Sequence, residues 1–161
     1  LYAKSMYNDS PQYNLDQEST TSALVGMQAF ANRFPESKYM EEANKITQEI
    51  NIKLEFKDYE NTKLYYKIRN YKSAVIAIGN FMEKYPQSQY YEEMMYLKFV
   101  SQYDLAKRSI EGKKKKDRYI DAMGFYLEFL DKYPNSKLKN EAEWRYAVCM
   151  KEVKKLDKIT S

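Results

Sequence analysis

The sequence predicts an all-α fold: an α-solenoid of stacked helix pairs, about six helices in all, some longer than those of a standard repeat. The first observation behind this is an internal repeat anchored on proline. The segments ending at Pro35, Pro86 and Pro134 carry matching residues in one register: Thr20, Tyr71 and Tyr119; Ala23, Ala74 and Ala122; Met27, Ile78 and Tyr126; Phe30, Phe81 and Phe129; Phe34, Tyr85 and Tyr133. Ser37, Ser88 and Ser136 follow at one offset, then Glu42, Glu93 and Glu141. The second observation is spacing. Within each copy the apolar positions step by three and four, which puts them on one helical face. The third is composition. Gly and Pro number four each in 161 residues, while Lys, Glu, Leu, Ala and Met, all good helix formers, are common.

Taken in order, residues 1–7 (LYAKSMY) read as the tail of a helix begun upstream. The chain opens on Leu1 without an initiator Met, which reads as part of a longer protein. Residues 8–14, rich in turn formers around Pro11, read as loop. Asp16 suits the N-cap of a helix over 17–34. From 38 to 70 there is neither Gly nor Pro, so one long helix is expected, with Asn70 as its C-cap. A helix over 71–85 follows, stopped by Pro86, which lacks an N–H and disfavours helix at the residue before it. Ser88 is placed to cap the next helix, over 89–110. Glu111, Gly112 and the lysines 113–116 interrupt the pattern and read as a solvated insertion. Helices over 117–133 and 137–156 complete the set, and 154–161 reads as a frayed end. The prolines recur about every 50 residues, against roughly 34 in a tetratricopeptide repeat, so the helix after each proline is long. The whole, 1–161, reads as one helical-repeat domain of about three repeats.

The chemistry-bearing residues point away from catalysis. There is no histidine, which removes the commonest general base and metal ligand. The four glycines are isolated, so no phosphate-cradling loop exists. Gly26, Gly79 and Gly124 sit inside helices, where close helix approach would explain them. The acid pairs Glu41/Glu42, Glu92/Glu93 and Glu141/Glu143 each follow a helix start, where they complement the helix dipole. Cys149, the only cysteine, lies among Ala147, Val148 and Met150 and reads as core rather than as a reactive thiol. Trp144 reads as inter-helix packing. The 17 tyrosines suit helix seams, with some open to lining a peptide groove. A net charge of +4 is too mild to argue for nucleic acid. No apolar run reaches the roughly 18 residues of a membrane helix. The one concentrated charge is Lys113, Lys114, Lys115 and Lys116, open to three readings: a solvated loop, an acidic protein face, or membrane headgroups.

A resemblance adds to this. The stretches YKSAVIAIGNFMEKYPQSQYYEEM and YIDAMGFYLEFLDKYPNSKLKNEA are similar to the phrase YxxAxxxFxxFLxxYPxSxYxxEA of bacterial tetratricopeptide lipoproteins that assemble the outer membrane. The order SPQYNLDQ, ANRFPESKYMEEA, a long helix, then YYKIRNYKSAVIAI resembles the carboxyl-terminal part of the BamD family. The similarity is clearest over residues 1–93 and holds at the repeat level beyond. The family's usual Gly after its paired tyrosines is Asn70 here. The resemblance implies the last three or so of five repeats, with no enzymatic activity and no cofactor. It implies a scaffold role in inserting β-barrel proteins into the outer membrane from the periplasmic face. The implied partners are other subunits of the β-barrel assembly machinery, above all the barrel-forming one, with unfolded outer membrane proteins as a further candidate. Nucleic acid is not among them, and membrane attachment would come only through a lipid anchor outside this chain. Candidate partner-binding residues are Tyr65, Tyr66, Arg69 and Lys72, at the junction of two helices, with the run Lys113 to Lys116. The alternative is a generic tetratricopeptide adaptor that binds an extended peptide in its concave groove.

Overall fold

A computed structural model of the chain describes residues 18–110 and 112–160. The expected tail, the 8–14 loop and the Asp16 cap lie outside the described residues. Among these residues there are six helices and no strand: α1 (Glu18–Arg33), α2 (Met40–Lys67), α3 (Tyr71–Lys84), α4 (Tyr91–Lys107), α5 (Lys113–Lys132) and α6 (Lys139–Thr160). The all-α expectation therefore holds. So does the single long helix: α2 runs unbroken for 28 residues, about 40 Å.

The three proline turns fold alike, and their serines explain why. Ser37, Ser88 and Ser136 each accept, on the side-chain Oγ, the N–H two residues on (Tyr39, Tyr90, Leu138) at 3.2, 3.0 and 3.1 Å. Each serine also donates its backbone N–H to the carbonyl of Phe34, Tyr85 or Tyr133 at 3.1 Å. The serine thus closes a turn with two residues between its hydrogen-bonded ends rather than capping the helix itself, which starts three residues later, as Tyr91 does after Ser88. Its hydroxyl satisfies a backbone donor that would otherwise face water.

The chain forms two compact units, 1–60 and 61–161, with the boundary inside α2. In the first unit Ala23 and Met27 of α1 meet Ala43, Ile46 and Ile50 of α2, with Leu24, Phe30 and Leu54 packed at the edge. In the second unit α3 packs on α4, α4 on α5 and α5 on α6, and α4 also reaches α6. The repeat register and the burial pattern coincide. Ala23, Ala74 and Ala122 are all fully buried, where a single methyl lets helix axes approach closely. Ile50, Ser101 and Cys149 occupy one equivalent position after their prolines and are likewise fully buried. Phe129 is fully buried, its ring 6.0 Å from Tyr96 and 6.1 Å from Tyr133. Burial of that side chain contributes about 2–3 kcal/mol. The tyrosines fill seams: Tyr126 stacks on Tyr146 at 4.4 Å, and Tyr103 meets Tyr119 at 6.3 Å.

Several local expectations are corrected. Lys113 to Lys116 are not an insertion loop but the first turn of α5. The 154–160 segment is helix, with Leu156 2 % exposed in the core. A buried leucine at that point anchors what charge alone suggested would fray. Asn70 does not end α2; its side chain caps α3. Gly79 and Gly124 have nothing within 4 Å of where a Cβ would stand, so close approach is not their reason. Trp144 is 61 % exposed on α6, on the flank away from Ala142 and Cys149.

Candidate partner-docking surface

The turn between α2 and α3 is built by its backbone. The N–H of Asn70 donates to the carbonyl of Tyr65 and that of Arg69 to the carbonyl of Tyr66, both at 2.9 Å. This crossed pair is the Schellman arrangement, which needs a left-handed residue just past the helix. That residue is Arg69, with φ of 62° and the only positive φ outside glycine among the described residues. Asn70 then accepts the N–H of Ser73 on its side chain at 3.3 Å and starts α3.

This geometry sorts the four junction candidates. Tyr65, Arg69 and Lys72 face outward. Leu64 and Ile68 flank them, 51 % and 61 % exposed. Tyr66 turns inward: its hydroxyl donates to Asp104 Oδ2 at 3.0 Å and its ring lies 5.4 Å from that of Tyr71. Burial, and then the Asp104 carboxylate, push the Tyr66 phenol up to about 12. Arg108 sits over Tyr71, 5.0 Å from the ring centre, and Lys63 pairs with Glu93 at 3.1 Å. Tyr66 is thus a strut between α2 and α4, and its three outward neighbours offer a mixed apolar and cationic face. Leu64 and Ile68 were not among the candidate residues named from the sequence.

The lysine run stands at the same end of the second unit, where α2 and α4 finish and α3 and α5 begin. Arg118 donates to Ser109 Oγ, and Gln102 Nε2 donates to the Arg118 carbonyl at 3.3 Å, which fixes the start of α5 against the end of α4. Lys116 pairs with Asp157 near the end of α6. Lys113 and Lys114 are exposed, Lys115 and Lys116 half-buried. The first turn of α5 carries no acid, nor does that of α3, against Glu18, Glu41/Glu42, Glu92/Glu93 and Glu141 in the other four helices. Cations there oppose the helix dipole, at about 0.3–1 kcal/mol each.

A polar network ties α4 to α6 near the opposite end. Arg145 Nη1 donates to Tyr96 Oη at 3.0 Å and to Glu141 Oε1 at 2.8 Å. The Arg145 hydrogen bond, then that of Tyr96, hold the Glu141 carboxyl below its usual range. Cys149 is fully enclosed, and burial pushes its thiol up to about 12. Among the described residues no group of His, Cys, Asp and Glu could hold a metal, and no helix is long and apolar enough to cross a membrane.

The family model described as YfiO, outer membrane lipoprotein, matches residues 58–155, more than half of the chain. The chain belongs to the YfiO family of outer membrane lipoproteins. The YfiO match begins in the latter part of α2 and runs through α3, α4 and α5 into α6. It takes in the α2–α3 turn, the lysine run and the Arg145 network together. It also extends well past residue 93, into the part where the sequence resemblance held only at the repeat level. No curated protein matches the chain.

Proposed function

We propose that the chain is a non-enzymatic scaffold in the assembly of β-barrel proteins at the outer membrane. In this reading it works from the periplasmic face and docks the periplasmic domains of the barrel-forming assembly protein. The observation that carries the reading is membership of the outer membrane lipoprotein family, matched over the helices that form the second unit. The surface supports it. Tyr65, Arg69 and Lys72 stand on a turn fixed by two crossed backbone hydrogen bonds and by the Tyr66–Asp104 strut. Such a face is pre-organised, so binding loses little conformational freedom. Tyr and Arg are also the residue types that dominate interface energetics.

The test is direct binding of the purified periplasmic domains of the barrel-forming subunit to the 161-residue chain. Combined Tyr65→Ala, Arg69→Ala and Lys72→Ala substitutions are expected to weaken binding at least about tenfold. Trp144→Ala, exposed on α6, is expected to leave it unchanged. Unchanged affinity in the triple variant overturns the assignment of the junction. Binding of extended peptides with no affinity for folded domains favours the generic adaptor instead.

A further inference from the structure

We infer that the end of the second unit formed by Ile110, the first turn of α5 and the last turns of α6 is a membrane-contact surface that rests on anionic phospholipid headgroups. This goes beyond the scaffold role and beyond an anchor lying outside the chain.

Three observations meet there. The first is charge. Lys113 and Lys114 at the start of α5 and Lys154, Lys155 and Lys158 at the end of α6 are all exposed. Lys116–Asp157 fixes those two helix ends beside one another. Among the described residues, no carboxylate pairs with any of these five lysines. The second is the apolar residues set among them. Ile110, in the connection, is 92 % exposed, the highest value among the exposed large hydrophobics, and Ile159 is 61 % exposed. The third is anchoring. Arg118, Ser109 and Gln102 hold the end of α4 against the start of α5, and Leu156 is buried one turn before Ile159. Ile110 follows directly on the held Ser109, and Ile159 projects from an anchored helix end.

Charge alone suits an acidic protein as well as a membrane. The isoleucines decide between them. An aliphatic side chain standing out among lysines gains by entering the boundary between headgroups and acyl chains, while the lysine stems let their ammonium groups stay with the phosphates. Lys113 and Lys114, unfavourable beside the helix dipole in isolation, become favourable over a negative surface.

The experiment is vesicle flotation with the 161-residue chain. It compares phosphatidylcholine vesicles with vesicles containing phosphatidylglycerol, at low and high salt, with soluble polyglutamate as a competitor. Binding to the anionic vesicles alone, weakened by salt, is the expected result. Each lysine near an anionic surface contributes about fivefold to partitioning, so K113Q/K114Q/K158Q is expected to bind about a hundredfold more weakly. Ile110→Ser is expected to weaken vesicle binding about tenfold and to leave polyglutamate binding unchanged. Circular dichroism is expected to show unchanged helix content in the variants, since every substituted residue is exposed. No flotation with anionic vesicles overturns the inference. So does salt-dependent vesicle binding that ignores Ile110→Ser and is matched by polyglutamate, which assigns the lysines to an acidic protein partner. Loss of docking to the barrel-forming subunit in the junction variants, with vesicle binding intact, keeps this inference separate from the scaffold reading.

Discussion

Replacing Arg69 by glycine should make the protein more stable while weakening its docking surface. Arg69 holds a φ of 62° because the crossed hydrogen bonds from Asn70 to Tyr65 and from Arg69 to Tyr66 require it. A residue with a Cβ pays about 1–2 kcal/mol for that conformation. Glycine removes this cost and adds unfolded-state freedom worth about 0.4–1 kcal/mol in the other direction. The net gain is ~0.5–1 kcal/mol, or roughly 1–4 °C in melting temperature for a chain of this size. Arg69→Ala is the control. It deletes the same exposed guanidinium but keeps the Cβ, so it should melt with the parent. Thermal unfolding followed by far-UV circular dichroism reads both. If Arg69→Gly melts at or below Arg69→Ala, the left-handed conformation is not a strain the turn carries, and the reasoning fails. A strained arginine where glycine would sit more easily is the pattern expected where a side chain is kept for function.

Phe129→Ala should destabilise by about 3–5 kcal/mol, because the ring is fully buried against Tyr96 and Tyr133. Leu127→Ala, 52 % exposed on the same helix, should change stability by less than about 0.5 kcal/mol in denaturant titrations. Ser101→Ala should stabilise by about 1 kcal/mol, since its fully buried hydroxyl has no hydrogen-bond partner among the described residues. Burial raises the Cys149 thiol and the Tyr119 phenol to about 12. Their neutral forms are favoured in the folded state, so this stability is fully present below the ordinary thiol and phenol values and is lost as pH rises through about 9 to 12. These two groups should therefore lower denaturation midpoints on the alkaline side, and native Cys149 should resist alkylation at pH 8 until the protein unfolds.

The repeat was legible because it is written in side chains that must be buried. Ala74 and Ala122 recur where helices cross, Phe81 and Phe129 where a ring fills the seam, and Ser88 and Ser136 where the chain turns. Burial and turn chemistry are local demands, so the sequence records them directly. What was not legible depended on neighbours in space. The lysine run reads as a break in periodicity. Helical pattern and charge give no warning that Gly112 takes the N-cap position of α5 and that Lys116 finds Asp157 on α6. The α2–α3 turn favoured Asn70 as the terminator by residue type, whereas the backbone placed the left-handed φ one residue earlier, on Arg69. Trp144 looked like packing because tryptophan usually is; its position on the flank opposite Cys149 leaves it exposed. At the candidate site, the sequence named Tyr65, Tyr66, Arg69 and Lys72 together. The structure separates Tyr66, a strut, from the three that face out.

Capture from solubilised outer membranes, with the 161-residue chain as bait and the captured proteins identified by mass, tests the scaffold role most directly. The account predicts recovery of a large barrel protein with periplasmic repeat domains, and its loss when Tyr65, Arg69 and Lys72 are replaced by alanine. Recovery of only short extended peptides or soluble clients, unchanged in that variant, would contradict it and leave family membership speaking for the fold alone.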